Sequence, residues 1–246
     1  MVKKLTGQIG IIGNGSWGTA LAKILTDNGH VIHWWIRNEE AITYLKGRHH
    51  NPHYLTSVRF IPDTILPSGN LDEVLDACDT IIVAVPSAYA QKVIEQADSS
   101  KWQNINIISA IKGILPDSNL LLNDYLSAKF NYPLEKYVSI MGPCHAEEVA
   151  EERLSYLTFS GLNDNLTGAA AKLFGNTYIN TTCNHDIWGA QFAAVLKNIY
   201  AIGAGIAPRA RLWRQFCKRV HHQLLQGNVS FPYRPFRQGS SFQRKA

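Results

Sequence analysis

The chain has 246 residues, of which 46% are hydrophobic and 17% are charged, so it can bury a sizeable core in one large or two small domains. Its formal net charge of +5 arises at one end. Residues 208–246 contain nine Lys and Arg and no Asp or Glu, which leaves the first 207 residues with 15 basic and 19 acidic side chains, a net charge of −4. A basic balance confined to one terminal segment is weak evidence for nucleic-acid binding, and we expect no nucleic-acid partner.

The cysteine pattern and the apolar runs argue against a disulfide-stabilised, zinc-binding, secreted or membrane-anchored protein. The four cysteines stand apart with no CxxC pair, which argues against a disulfide framework or a zinc site and for a reducing compartment. The first residues do not form a signal peptide. The longest apolar stretch, residues 187–207, contains Gln191 and Lys197 and is better explained as a buried helix than as a membrane anchor. We therefore expect a cytoplasmic protein without a membrane partner.

Short β-branched runs alternate with amphipathic stretches along the chain. The pattern predicts strands at residues 8–12, 31–36, 79–85, 105–110, 138–141, 157–159 and 177–180. It predicts helices at residues 16–28, 38–46, 88–96, 118–130, 166–174 and 187–207, with a loop containing Pro52 and Pro62 after the second helix. This alternation indicates the α/β class, with a doubly wound parallel sheet covered on both faces. Residues 180–185 (NTTCNH) have the composition of a linker and mark the expected domain boundary.

Residues 13–18 read GNGSWG between the first predicted strand and the first predicted helix. In this context Gly13 allows the tight turn, Gly15 lets the backbone approach a pyrophosphate, and Gly18 lets the helix pack closely on the sheet. The helix N-terminus offers free N–H groups and a partial positive charge to the anion. The pattern favours a Rossmann-like dinucleotide-binding domain over residues 1–184, and a turn with coincidental glycines is the alternative.

The end of the second predicted strand bears on the choice of cofactor. An acidic residue there would bind the ribose hydroxyls of NAD, but this strand ends at Arg37, which can pair with a 2′-phosphate. Glu39 and Glu40 come slightly late for the ribose role. A solvated charge at the strand end is the alternative for Arg37, so both NADPH and NADH stay open.

Three further positions are candidates for binding and chemistry. Lys112 follows the strand at 105–110, at the carboxyl end of a parallel sheet where ligands bind, and can hold a phosphate or a carbonyl oxygen. His145 stands where residues 141–148 leave another strand, and it is either a titratable group or a polar residue that begins a helix. Lys197 lies in a helix that is apolar almost all round, so we expect a desolvated lysine of lowered pKa suited to proton transfer. A lysine that snorkels at the helix edge is the alternative.

Taken together, several segments resemble the bacterial-type NAD(P)-dependent glycerol-3-phosphate dehydrogenases. They run in that family's order over residues 5–207: GNGSWGTALA near the start, NPHYL at 51–55, AVPS at 84–87, IKGI at 111–114, GPCHAEEVA at 142–150 and VLKNIYAIGAGIA at 195–207. The resemblance implies reversible reduction of dihydroxyacetone phosphate to sn-glycerol 3-phosphate, for phospholipid synthesis, with NADPH or NADH. It also implies a helical substrate domain that begins with residues 185–207.

The resemblance also assigns site residues. The cofactor contacts it implies are Ser16, Trp17, Arg37, Tyr54 and Ala146, besides the glycines. Lys112 would touch cofactor and substrate, and Gly142 and Cys144 would line the substrate site, although the family more often has Ser or Thr at the position of Cys144. Lys197 would bind substrate and act as the acid–base residue, so that no metal is needed.

The resemblance ends at Pro208, where the family continues with a loop similar to HGLGYGDN. Codons permitted for residues 208–216, CCA CGG GCT CGG CTA TGG CGA CAA TTT, encode HGLGYGDN once one leading C is removed. We therefore expect a one-base insertion, either in the gene or in the sequencing read, and a mostly disordered tail over residues 208–246. The helix that carries Lys197 would then lose the helices that cover it in the family, which exposes apolar surface. We expect such a chain to bind NADPH weakly or moderately and to turn over poorly or not at all. A homodimer is left open for a full-length form.

The alternatives are a non-catalytic nucleotide-binding fragment, a dehydrogenase of another hydroxy acid, and a nucleic-acid binder that uses the tail.

Overall fold

The computed structural model describes residues 7–206, except for the side chains of residue 198 and residues 203–206. The expectations for residues 208–246, disorder and a frameshift, lie outside the described residues. The chain divides into two compact units, Met1–Lys197 and Asn198–Ala246, and only the end of one helix represents the second unit in the described part.

The described residues form one eight-stranded sheet with helices before and after its strands. The strands are β1 (Ile9–Ile12), β2 (Ile32–Trp35), β3 (Ile65–Ser68), β4 (Thr80–Val83), β5 (Asn106–Ser109), β6 (Tyr137–Met141), β7 (Ser155–Gly161) and β8 (Ile179–Asn184). The helices are α1 (Ser16–Asp27), α2 (Glu39–Arg48), α3 (Leu71–Ala77), α4 (Ser87–Ile94), α5 (Ser99–Gln103), α6 (Leu122–Phe130), α7 (Ala146–Ala150), α8 (Asp164–Phe174) and α9 (Ile187–Ile206).

The sheet order is β3-β2-β1-β4-β5-β6-β7-β8. Strands β1 to β6 pair in parallel, with the chain crossing over on either side of β1, as in a doubly wound fold. The predicted Rossmann-like α/β architecture is therefore confirmed. The sequence analysis missed β3, α3 and α5, which lie in segments that it left as loops.

Buried apolar side chains cover both faces of the central strands. Ile11, Ile82, Ile108 and Val138 lie in register on one face, in the core shared with α1 and α8. The opposite face carries Ile12, Ile81, Ile107 and Tyr137, in the core shared with α3 to α6. Strands covered on both faces are apolar along their length, which explains why β1, β4 and β5 were recognisable in the sequence.

The predicted all-parallel sheet is wrong at one edge, because β7 pairs antiparallel with β6 and β8 then pairs parallel with β7. The connection from β6 to β7 contains only the five-residue helix α7 and then turns at Glu152, whose φ is 57°. A helix of that length does not carry the chain back across the sheet, so β7 returns in the opposite direction.

The predicted linker at residues 180–185 is also wrong, because residues 180–184 belong to β8, which pairs with β7 over its whole length. The polar composition has a different cause: β8 is the edge strand, and Asn180, Thr182, Cys183 and Asn184 are exposed. Exposed polar side chains are common on edge strands. The division into domains at residue 184 stays a prediction.

Helix α9 is buried only where it begins. Ile187 is fully buried and Gln191 is 3% exposed, whereas Ala193 and Lys197 are exposed. The apolar sequence alone favours a helix buried all round, but in this chain only its first turns pack against the described part of the first unit, in keeping with the expected loss of its cover. Within residues 7–206, no helix has the length and apolar character needed to span a membrane.

One buried lysine connects three elements of the fold. The Lys23 ammonium on α1 donates to Asp27 at 2.6 Å and to Glu152, at the turn before β7, at 2.9 Å. It also lies 5.4 Å from the ring centroid of Tyr178, whose hydroxyl donates to Asp27 at 2.5 Å. Burial alone would lower the pKa of Lys23, but the two carboxylates outweigh burial and raise it. Lys23 therefore remains charged and fixes α1 against the β7–β8 edge.

We predict that Lys23→Met lowers the free energy of unfolding by about 1.5–3 kcal/mol, the usual range for lost hydrogen bonds to charged groups. Lys101→Met is the matched control, because Lys101 also bridges two carboxylates, Asp72 and Asp76, each at 2.9 Å but on the surface. Its loss should cost clearly less than the loss of Lys23, because a solvated surface ion pair is screened and contributes little. Urea unfolding measures the free energy of unfolding of both variants. Equal losses of stability in the two variants would contradict the connecting role of Lys23.

Candidate active site

The glycine-rich turn after β1 is held by backbone contacts that exclude any side chain. Gly13 has a φ of 104°, and a Cβ there would lie 2.7 Å from the carbonyl oxygen of Ala84. A Cβ on Gly18 would lie 2.3 Å from the carbonyl oxygen of Gly13. The tight turn and the close helix packing predicted for these two glycines are thus present. Gly15 differs, because a Cβ there would meet nothing within 4 Å and the backbone faces open space.

Two helices begin beside this turn without a side-chain cap. Gly15 is the N-cap of α1, which has no acidic residue in its first turn, and Pro86 is the N-cap of α4. At neither N-cap does a side chain of the capping residue accept from the first backbone N–H groups of the helix. The N-terminal amides of α1 and α4 therefore offer hydrogen-bond donors and partial positive charge to an anion.

A cleft of about 350 Å³ lies on one side of the glycine-rich turn. It brings together residues from the ends of β1, β4, β5 and β6, where the parallel strands share one edge of the sheet. Six of its lining residues were predicted as site residues. The full set is Gly15, Ser16, Trp17, Ala84, Val85, Pro86, Ser87, Ala110, Lys112, Cys144, His145, Ala146 and Glu147.

A second cleft, of about 210 Å³, shares Gly15 and residues 84–86 with the first. It contains the two predicted residues Arg37 and Tyr54, together with Tyr89 from α4, which the sequence analysis missed. The remaining lining residues are Gly13, Asn14, Trp35 and Val93. The two clefts adjoin at the turn, so one elongated ligand can occupy both with its centre at the helix N-termini.

Gly142 and Gly18 line neither of these clefts in the described part of the chain. A Cβ on Gly142 would lie 2.2 Å from the carbonyl oxygen of Tyr156, so this glycine permits close approach of β6 and β7. Gly142 directly precedes the turn that carries Cys144 and Ala146 into the larger cleft.

Lys112 projects into the larger cleft beside Trp17. Its Nζ lies 5.1 Å from the centroid of the indole ring, within the range of a cation–π interaction. The side chain reaches solvent, yet the surrounding cleft walls desolvate the ammonium and lower its pKa, and the positive charge of Lys197 lowers it further. Only a thiolate at Cys144 would act in the opposite sense.

Cys144 is 4% exposed, and burial raises the pKa of its thiol although Lys112 and Lys197 act against that shift. The thiol is therefore protonated at neutral pH and lines the cleft as a small, weakly polar side chain. The indole Nε1 of Trp17 is buried and has no hydrogen-bond partner among the described residues. An orphaned buried donor at a cleft is a feature of ligand sites.

Lys197 is close enough to Lys112 and Cys144 for its charge to affect both of them. Lys112 and Cys144 line the larger cleft, whereas Lys197 lines neither cleft among the described residues. The expected desolvation of Lys197 is wrong for this chain, because its side chain is exposed. In the described residues α9 packs only near its start, so the protein surface around Lys197 displaces little water.

Two buried side chains that support the turn were missed by the sequence analysis. Asn51 is 1% exposed, and its amide donates to the carbonyl oxygen of Asn14 at 2.8 Å and to the Thr19 hydroxyl at 2.9 Å. Its Oδ1 accepts from the backbone N–H of Tyr54. Trp34 donates to the carbonyl oxygen of Gly13 at 2.9 Å. The Asn-Pro pair at 51–52 signals a turn in the sequence, but not this contact.

Within residues 7–206, no group of three or more His, Cys, Asp or Glu side chains is placed to hold a metal ion.

Comparison with known proteins identifies the family. The family model described as the N-terminus of NAD-dependent glycerol-3-phosphate dehydrogenase matches residues 8–167. The glycerol-3-phosphate dehydrogenase (NAD(P)+) of Lacticaseibacillus casei is 34% identical over 205 residues, which are 80% of this chain and 58% of that protein. The Bacillus pumilus protein of the same name is 34% identical over 206 residues, which are 83% of this chain and 58% of that protein. The chain therefore spans about 58% of the length of these relatives.

Solved structures agree in fold. The glycerol-3-phosphate dehydrogenase of Coxiella burnetii has a TM-score of 0.72 at 25% identity, over 84% of this chain and 62% of that chain. An imine reductase from Myxococcus stipitatus has a TM-score of 0.55 at 13% identity, over 91% of this chain and 74% of that chain, and shares the fold alone. Because the family model covers more than half of the sequence, this chain belongs to the NAD-dependent glycerol-3-phosphate dehydrogenase family, whose N-terminal domain it contains.

Proposed function

We propose that the two adjoining clefts bind NADPH or NADH and that the site transfers hydride between this cofactor and the dihydroxyacetone phosphate/glycerol 3-phosphate pair. The observation that carries the proposal is the junction of the clefts at the uncapped N-terminus of α1, with Lys112 on one side and Arg37 on the other. Family membership supplies the reaction class.

The residues present fit a dinucleotide. Amides at Gly15 and Ser16 would hold the pyrophosphate, because they lie uncapped where the clefts meet. Arg37 and Tyr54 would bind the adenosine end in the smaller cleft, and Arg37 can pair with a 2′-phosphate. Trp17 and Ala146 would flank the nicotinamide end in the larger cleft.

The chemistry would then take place beside Lys112. The bound nicotinamide supplies or accepts the hydride. Lys112 would hold the substrate by its positive charge, while Cys144 and the turn after Gly142 shape the pocket around it. Lys197 would give a proton to the ketone oxygen during reduction and take it back from the hydroxyl during oxidation. We infer that reduction towards sn-glycerol 3-phosphate, for phospholipid synthesis in the cytoplasm, is the physiological direction.

The exposure of Lys197 favours a second candidate, a nucleotide-binding chain that turns over poorly. In an exposed position the ammonium keeps its water, and a hydrated acid is poorly preorganised for proton transfer. This candidate goes with the proposed division into a dinucleotide-binding domain (1–184), the start of a helical substrate domain (185–207) and a basic tail (208–246).

The test of the proposed function separates binding from chemistry. NADPH should bind saturably, as followed by quenching of tryptophan fluorescence. In a single turnover with excess enzyme, dihydroxyacetone phosphate should cause slow NADPH oxidation that disappears in Lys197→Met. Saturable binding without substrate-dependent oxidation would support the nucleotide-binding candidate instead, and absence of binding would contradict both.

We predict that Arg37→Gln weakens NADPH binding by about 10- to 100-fold and leaves NADH binding nearly unchanged. The lost interaction is a hydrogen bond between two charged groups, worth about 1.5–3 kcal/mol. Isothermal titration calorimetry with both cofactors measures the ratio of the NADPH and NADH dissociation constants for each variant. Arg59→Gln is the control, because Arg59 lines neither cleft and donates to the Arg48 carbonyl oxygen. An equal loss for NADPH and NADH would refute the 2′-phosphate role.

We predict that Asn51→Leu weakens binding of NADPH and NADH alike by about tenfold or more, because groups of the glycine-rich turn and of residue 54 lose their buried partner. Asn163→Leu is the matched control, since Asn163 Oδ1 also accepts from two backbone N–H groups, but at the start of α8. Both changes should lower the thermal midpoint. If both also weaken cofactor binding equally, Asn51 acts through overall stability alone.

A further inference from the structure

A chain of contacts runs from the end of β5 to helix α9, made of buried hydrogen bonds and of the pairing between β5 and β6. The backbone N–H of Ile111 donates to the Ser109 hydroxyl at 3.3 Å, and β5 pairs in register with β6, which carries Tyr137. The Tyr137 hydroxyl donates to Gln191 Oε1 at 3.1 Å, and Gln191 Nε2 donates to Asn123 Oδ1 at 2.9 Å. The β5–β6 ladder therefore connects the turn after Ser109 to the bonds that hold α9.

The members of this chain are enclosed in the core. Ser109, Tyr137 and Asn123 are each fully buried, and Gln191 is 3% exposed. Burial raises the pKa of Tyr137, so its hydroxyl keeps the proton that it donates. In this buried, low-dielectric environment a hydrogen bond is strong, and an unpaired polar group costs free energy. These bonds therefore permit little displacement of α9 relative to β5 and β6.

Further bonds hold the start of α9 at the same place. Gln191 Nε2 also donates to the carbonyl oxygen of Ile187 at 2.8 Å. The Trp188 indole donates to Asp124 Oδ1 at 2.9 Å, and the Asn123 amide donates to the same oxygen at 2.9 Å. Gln191 is thus bonded to its own helix, to α6 and to β6.

The two ends of the chain are next to the two lysines of the candidate site. Ile111 precedes Lys112 directly, and its N–H is the first donor. Gln191 lies six residues before Lys197 in the same helix, about 9 Å along the helix axis. An α-helix is rigid over that distance, so fixing Gln191 fixes the position of the Lys197 backbone.

We propose that Tyr137 and Gln191 are positioning residues that hold Lys112 and Lys197 at a fixed separation. They touch neither cleft among the described residues, and they act through the turn at residues 109–112 and through α9. The relevance of this separation to catalysis rests on the proposed function, but the coupling of the two lysines does not.

Tyr132 offers a matched comparison for a role in stability alone. It is also buried, at 2% exposed, and its hydroxyl bonds the backbone of residues 105, 107 and 136 at the opposite end of β5. Removing its hydroxyl breaks buried hydrogen bonds without touching the connection between the two lysines.

The experiment measures the electrostatic coupling of the lysines directly. Lysines of the full chain are labelled by reductive methylation with ¹³C, the Lys112 signal is assigned with Lys112→Arg, and its pKa is followed by NMR. Besides Lys197, the titratable groups at the cleft are Cys144, His145 and Glu147, which are the same in every variant. In the parent chain, Lys197→Gln should raise the Lys112 pKa, because a positive neighbour is removed.

Tyr137→Phe and Gln191→Met should each shrink or abolish that upward shift, whereas Tyr132→Phe should preserve it. A shift that persists in both Tyr137→Phe and Gln191→Met would overturn the proposal, and so would a shift lost in Tyr132→Phe as well. The two test variants remove different partners of the same buried hydrogen bond, Tyr137 and Gln191. Either variant that still unfolds cooperatively is therefore sufficient for the test. The measurement needs neither turnover nor cofactor, and failure of the proposed function would leave its result intact.

Discussion

The contact between the Gly13 carbonyl oxygen and Gly18 determines the geometry of the site. It lets α1 start almost on top of the end of β1, where a side chain at residue 18 would push the helix away. The Trp34 indole N–H donates a hydrogen bond to the same carbonyl oxygen and fixes its direction. Because Ala84 closes the other side of Gly13, the ends of β1 and β4 meet at one point. Both clefts open from that point, one on each side of the α1 N-terminus.

The sequence revealed the centre of the sheet better than its edges. Strands β1, β4 and β5 are covered on both faces, so their apolar runs are unambiguous. The edge strand β3 is Ile-Leu-Pro-Ser with Leu66 exposed, and β8 is mostly polar, so each lacks the signal of a buried strand. The reversal at β7 depends on the shortness of α7 and the turn at Glu152, which hydrophobic periodicity does not encode.

Residues predicted for the site lie together where local chain geometry sets their position. Trp17, Lys112 and Cys144 follow strand ends, and the ends of parallel strands lie at one edge of the sheet, so these residues line one cleft. Arg37 lines the adjoining cleft because it also follows the end of a parallel strand, β2. Asn51 was missed because its partners, Asn14 and Thr19, are more than thirty positions away in the sequence. Lys197 is exposed because an apolar helix shows only that it needs cover, and not that the chain supplies that cover.

The arrangement of the two lysines is unfavourable in itself. Two ammonium groups repel each other, and both the cleft walls and the positive charge of Lys197 disfavour the charge on Lys112. A flexible connection would relax by moving α9 outwards, particularly because so much of that helix is exposed. The buried bonds of Tyr137, Gln191 and Asn123 oppose this movement from the opposite face of the sheet to α1. These buried bonds on one face of the sheet therefore help to keep the two positive charges of the proposed site together.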